Sequence, residues 1–196
     1  IYYEDPKTGQ DVVLRKLYGG ANRTWVKYED IPKNLIHACI AIEDKRFYDH
    51  KGVDWYRTAG AFVNMFLGMK NDFGGSTITQ QTAKLLCLGV KWDPALWKSE
   101  ADYEKDCRQG GMWRKIKEVP FSMAMEVKYS KEEILTIYLN RAYRGAGARG
   151  FEAAAQRYFG KSAKDVSVSE AAMLAGLLKA PSTYAPTASL ERAQNR

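Results

Sequence analysis

Three short stretches of this sequence carry residue types at spacings that can do chemistry. The first is "AIEDKRFYDHKGVDW", residues 41–55. If Glu43 to His50 is helical, then Glu43, Phe47 and His50 share a face at i, i+4 and i+7, with Gly52 as the stop. That places a carboxylate beside an aromatic ring and an imidazole, an arrangement suited to a general acid or base. The competing reading is an ordinary amphipathic turn with Glu43 in solvent.

The second stretch is "GGSTITQQTAKLL", residues 74–86. Thr77 and Gln80 fit the capping box T-x-x-Q, and Gly74 and Gly75 let the backbone turn tightly into a helix. The same geometry leaves N–H groups and a positive dipole end open to an anion. Gln80 and Lys84 follow at i, i+4, and Gln81 and Lys84 at i, i+3, near the hydroxyls of Ser76 and Thr79. Capping needs one hydroxyl; two glutamines and a lysine are a surplus that points to a ligand.

The third stretch is "WRKIKEVPFSMAMEVKYS", residues 113–130. Arg114 and Glu118 are i, i+4, and Lys115 and Glu118 are i, i+3, so taken singly they read as a solvated, salt-bridged helix face. Pro120 either lies close to a helix start or kinks a helix beside Glu118, since it would free the carbonyl of Ile116.

The elements that must position these groups are mostly helical. From Ile31 onward apolar residues recur at helical spacing between start and stop signals. In "SKEEILTIYLN" Ser130 caps, Glu133 completes the box, and Ile134, Ile137 and Tyr138 form the inward stripe of a helix over 131–140. In "SVSEAAMLAGLLKAPSTYAP" Ser169 is the expected cap of a largely buried helix and Pro181 its stop. Residues 1–30 carry a weak strand pattern, "IYY" and "DVVLRKL", with Pro6 and Gly9 suited to a hairpin turn between them.

At 196 residues the chain fits a single domain. Its 30 Lys plus Arg against 23 Asp plus Glu give a net charge of +7, which favours an anionic partner: nucleic acid, an anionic membrane surface or a phosphorylated substrate. No run of about 20 apolar residues is present. Three cysteines without a CxxC pair and two histidines argue against a structural zinc site. The polar stretch 89–111, "GVKWDPALWKSEADYEKDCRQGG", reads as an excursion from the helical core. Two buried, unpaired thiols at Cys87 and Cys107 are the simpler reading. The alternative is a disulfide across the excursion, whose closed loop would stabilise by about 3 kcal/mol.

Taken together and in order, these stretches resemble the peptidoglycan glycosyltransferase domain of glycosyltransferase family 51. That domain occurs in class A penicillin-binding proteins and monofunctional transglycosylases. "EDKRFYDHKG" resembles E-D-x-x-F-x-x-H-x-G, "GGSTITQQTAK" resembles G-G-S-T-I-T-Q-Q-x-A-K, and "RKIKE" resembles R-K-x-x-E. "KEEILTIYLN" resembles K-x-E-I-L-x-x-Y-L-N, ending on Asn140, and "GFEAAAQRYFGK" with "EAAMLAGLLKAPSTYAP" resembles the last shared segment.

The resemblance implies a mainly α, lysozyme-like domain, to which the strand pattern of residues 1–30 adds a small N-terminal β-hairpin region. It would act on the outer face of the cytoplasmic membrane and polymerise lipid II onto a growing undecaprenyl-pyrophosphate glycan chain. By motif match Glu43 is the expected general base and Glu118 the second carboxylate, near the donor sugar and pyrophosphate. Asp44, Ser76, Thr77, Gln80, Gln81, Lys84, Arg114, Lys115 and Asn140 are the expected substrate-binding residues. Mg²⁺ or Mn²⁺ would bridge the phosphates with few protein ligands. A moenomycin-type inhibitor would occupy the donor position, a C-terminal transpeptidase domain is an expected companion, and nucleic acid is not among the implied partners.

The sequence departs from the family pattern at several points. Thr82 and Leu85 stand where Leu and Asn are usual, and 89–111 lengthens a normally short link. A basic residue of that link touches the donor phosphate in many relatives; Lys91, Lys98, Lys105 and Arg108 are candidates here. Arg144 and Arg149 replace common aromatics and read as solvated surface. The stripe Trp55, Ala59, Phe62, Val63, Phe66 and Leu67 would ordinarily be core, but a lipid-tailed substrate shifts it toward the membrane surface. Two other functions compete with glycosyl transfer: a muramidase-like hydrolase using Glu43 as acid, and a non-catalytic module that binds anionic lipid or wall polymer.

Overall fold

The computed structural model describes residues 24–68, 75–142, 145, 147–186, 189, 191 and 193, together with the backbone of 2–4 and 11–13. Strands β1 (Tyr2–Glu4) and β2 (Asp11–Val13) pair antiparallel, with Tyr2 opposite Val13. The turn expected at Pro6 and Gly9 lies outside the described residues, as do Gly74 and Arg144.

The rest is mainly helical: α1 (Lys33–Glu43), α2 (Trp55–Phe66), α3 (Ile78–Leu85), α4 (Glu100–Cys107), α5 (Met112–Lys128), α6 (Lys131–Arg141), α7 (Phe151–Phe159), α8 (Val168–Gly176) and α9 (Pro181–Tyr184). The short helix α3 is central, packed between α5 and α6, while α1 packs on α8. Its residues Ile78, Thr79, Gln80, Thr82 and Ala83 are all buried, and Thr82 returns its hydroxyl to the carbonyl of Ile78 at 2.8 Å. A helix of two turns is too short to hold itself in water, so α3 owes its rigidity to this packing and to its cap.

Both expected capping boxes form, Thr77 with Gln80 and Ser130 with Glu133. On α6 the inward face is Ile134, Leu135, Tyr138 and Leu139, with Ile137 only half-buried, a correction of one position in the stripe. On α8 the cap is Ser167 rather than Ser169: its hydroxyl accepts from Glu170 N, and the Glu170 carboxylate accepts from Ser167 N. Ser169 lies inside the first turn. Pro181 does not stop α8, which ends at Gly176; it opens α9, where its missing N–H costs nothing.

Pro120 lies inside α5, which runs through it. Residues 43–50 are not the expected helix. α1 ends at Glu43, and turns from Asp44 lead to Gly52, whose φ of +91° no other residue adopts without strain. A Cβ at Gly52 would lie 2.7 Å from the carbonyl oxygen of Ser122, so the glycine lets this loop close directly onto α5. Trp55 and Val63 of α2 and Leu67 just beyond it are exposed, so the apolar stripe is not core at these positions, and Tyr56 beside it is exposed as well. Among the described residues no helix is long and apolar enough to cross a membrane.

Candidate active site

Glu43 ends α1 half-buried, and Gln81 of α3 donates Nε2 to its Oε2 at 2.7 Å. Gln81 is oriented in turn by Tyr138, whose hydroxyl donates to Gln81 Oε1 at 3.2 Å. Arg57 of α2 reaches the same turn but binds the backbone carbonyl of Glu43 at 2.7 Å, leaving the carboxylate to the neutral amide. Among the described residues no cation pairs with this carboxylate. Phe47 and His50 do not join it on one helix face: Phe47 is fully buried, and His50 bonds Asp44.

The anion expected at the start of α3 is supplied by the chain itself. Asp44 is fully buried, and its Oδ2 accepts from Ile78 N at 2.9 Å and lies 2.9 Å from His50 Nε2. Thr77 N donates to Gln80 Oε1 and Gln80 N to Thr77 Oγ1, while the Thr77 hydroxyl reaches the carbonyl of Gly52 at 2.6 Å. These groups therefore fix the helix end rather than leave it open to an external anion. Asn140 is likewise turned inward, accepting from Val26 N and donating to Val26 O, each at 2.8 Å.

Glu118 is the second carboxylate, and the solvated face expected around it is not what forms. Its side chain is 2% exposed, ion-paired with Arg114 through Oε1 and with Lys115 at 2.7 Å through Oε2. Lys115 also donates to Ser76 Oγ at 2.5 Å, which draws the residue before the cap of α3 to α5. Burial holds the Lys115 ammonium below its ordinary pKa, and Arg114 and Lys84 lower it further. Burial, then Arg114, then Arg108 do the same to Lys84. Lys84, Arg114 and Lys115 thus form a group of mutually repelling cations around the buried Glu118, with Arg108, itself paired to Glu104, at its edge. Such a cluster is set to receive a multiply charged anion.

Several contacts of the site were not foreseen from the sequence, although Lys131 and Thr79 stand in the motifs. Lys131 donates to His50 O at 2.7 Å and to Glu126 Oε1 at 2.8 Å, and its ammonium lies 4.4 Å from the centre of the Phe47 ring. Thr79 donates to the same Glu126 oxygen at 2.6 Å. This network ties the turn after Glu43 to α3, α5 and α6. Arg149, expected as solvated surface, pairs with Glu104 of α4 at 2.6 Å and is one-fifth exposed.

Cys87 and Cys107, expected as thiols, are joined in a disulfide with Cα atoms 5.2 Å apart. Of the four basic candidates in 89–111, Arg108 is the one whose charge acts on Lys84. No cluster of three or more His, Cys, Asp or Glu suited to a metal is found among the described residues.

A sequence model of the family described as Transglycosylase matches residues 10–196. The chain is 42% identical over 180 residues to penicillin-binding protein 1A of Neisseria flavescens, covering 92% of this chain and 20% of that protein. It is 38% identical to penicillin-binding protein 1A of Clostridium tetani, over 94% of this chain and 21% of the relative. To penicillin-binding protein 2D of Bacillus subtilis it is 40% identical, over 90% of this chain and 23% of the relative. The chain therefore spans about a fifth of the length of the curated relatives it matches. With a match over nearly its whole length, this chain belongs to the transglycosylase family.

Proposed function

We propose that this chain is a peptidoglycan glycosyltransferase domain of lysozyme-like fold that polymerises lipid II into β-1,4-linked glycan with inversion at the anomeric carbon. The observation that carries the reading is the contrast along α3. Gln81 orients a carboxylate that has no cationic partner among the described residues, while Lys84 belongs to the cation cluster around Glu118. A hydrolase of preformed glycan needs carboxylates but no cation cluster, because its leaving group is an alcohol that takes a proton. Departure of a diphosphate needs positive charge.

In this reaction Glu43 takes the proton of the acceptor 4-hydroxyl as its oxygen forms the bond to the donor's anomeric carbon. The bond from that carbon to the phosphate oxygen breaks, and its electron pair leaves on undecaprenyl pyrophosphate. Lys84, Arg114 and Lys115 hold the diphosphate, with Ser76 and Gln81 lining the site. Asp44, Thr77, Gln80 and Asn140 support it from behind through the contacts described above. A divalent cation would be carried by the phosphates, because Glu118 is already engaged by Arg114 and Lys115. Exposed Trp55, Tyr56, Val63 and Leu67 on and just beyond α2 suit the membrane surface from which a lipid-tailed substrate arrives. A moenomycin-type phosphoglycolipid would compete for the cation cluster.

Labelled lipid II with Mg²⁺ tests the proposal. Polymer from the parent and none from Glu43→Gln is the expected result. Cleavage of preformed glycan would establish the hydrolase, and equal output from parent and variant would remove Glu43 from the mechanism.

A further inference from the structure

The segment 89–111 leaves the end of α3 and returns at the start of α5, so both of its ends border the cation cluster. Cys87 follows Lys84 by three residues, and Cys87 and Leu88 both have φ of 52°, in the left-handed region that side chains disfavour. A backbone held there must be fixed by its surroundings. At the far end, Cys107 precedes Arg108 and Gln109, and Arg114 Nε donates to the carbonyl of Gln109 at 2.9 Å. Arg108 pairs with Glu104 at 3.4 Å, and Glu104 also binds Arg149 at 2.6 Å. The segment is thus anchored at the disulfide, at Arg114 and at Arg149.

We infer that the Cys87–Cys107 disulfide is a positioning device for anion binding: it holds Arg108 at the end of α3 and Gln109 against Arg114. It does so by closing the strained turn at Cys87 and Leu88 onto the last residue of α4. The inference rests on the reading of the cluster as a diphosphate site. The bridged Cα atoms, 5.2 Å apart, set Arg108, next to Cys107, beside Cys87 at the end of α3, three residues after Lys84, whose pKa the Arg108 charge lowers. Without the bond, the far end of the segment would be held only through the Glu104–Arg149 pair and the Arg114 contact, and Gln109 would be less firmly fixed as the partner that orients Arg114 Nε. The two cysteines border an open groove of about 680 Å³ shared with Gln109 and Arg114, so a reductant has a path to the bond.

The test compares the parent with Cys87→Ser/Cys107→Ser. It reads the Kd for methylenediphosphonate by calorimetry, KM and kcat for lipid II polymerisation, and folding by circular dichroism. In the folded variant, Kd and KM should rise about tenfold, the effect of losing one charge-assisted contact, with kcat changing much less. Arg108→Gln should raise Kd in the parent and add nothing in the double-Ser variant, a non-additivity that general loosening of the fold would not produce.

Dithiothreitol treatment of the folded parent, with two newly titratable thiols as the control, should reproduce the double-Ser variant. Unchanged Kd and KM in a folded, disulfide-free protein would overturn the inference. So would unfolding on reduction, which would assign the bond to stability alone. A parent that binds the diphosphonate in a disulfide-dependent way yet makes no polymer would leave the inference standing and remove lipid II as the substrate.

Discussion

Glu43 and Glu118 are both held by residues that follow from the motifs, but in opposite ways. Glu43 is half-buried at a helix end and accepts one bond from a neutral amide. Glu118 is nearly fully buried in mid-helix between an arginine and a lysine. A group that must accept a proton cannot already be neutralised by fixed cations; a group that organises cations must be. On the proposed mechanism the two carboxylates therefore do different work, although each is a glutamate followed or preceded by basic residues in the sequence.

The strongest way to break this contrast is Glu43→Gln. It should lower kcat/KM for lipid II polymerisation by about 10²–10⁴, the span of a lost general base, with little change in Tm. Gly52→Ala attacks the scaffold that brings the two carboxylates together. The new Cβ meets Ser122 O, and the positive φ adds strain, so a stability loss of about 3 kcal/mol is expected in chemical denaturation, with activity falling in parallel.

Glu118→Gln should cost about 2 kcal/mol of stability by leaving Arg114 and Lys115 without their carboxylate. The figure is moderated because Lys115 is half-exposed and can rehydrate. A stability loss after Glu118→Gln but none after Glu43→Gln would confirm the contrast; the reverse would sink it. Gln81→Ala removes the amide that orients Glu43 and accepts from Tyr138, and about a tenfold fall in kcat with a smaller change in KM is expected.

The smallest effect is a titration. Lys84 and Lys115 are held below the ordinary lysine value of 10.5, so as pH rises they lose protons in the folded state before the unfolded state does. In the window below 10.5 the unfolded chain binds more protons, and these two groups make stability rise with pH. Diphosphate affinity should fall over the same window as the cluster discharges. Opposite pH slopes of Tm and affinity, both flattened in Lys115→Met, are the expected signature.

What was legible in the sequence was local. The Thr77–Gln80 and Ser130–Glu133 boxes close within four residues, so residue type and spacing suffice to foresee them. The choice of Ser167 over Ser169 was missed although Ser167 and Glu170 stand at the same S-x-x-E spacing, because Ser169, directly before the Ala/Leu-rich run, drew the assignment. The burial of Glu118 was hidden for a different reason: i, i+3 and i, i+4 charge pairs look the same on a solvated face as beneath a neighbouring helix. The role of Asp44 was masked by its neighbour, since the motif makes E-D a pair while the fold sends one carboxylate outward and the other into the start of α3.

The clasp between Asn140 and Val26 has a kinetic consequence. Its two hydrogen bonds join positions 114 residues apart, and such a closure is entropically costly until most of the intervening chain is already compact. The segment around Val26 should therefore dock after the folding transition state has passed. Asn140→Ala is then expected to speed unfolding while leaving the refolding rate nearly unchanged, so that the clasp acts as a brake on opening rather than a guide to folding.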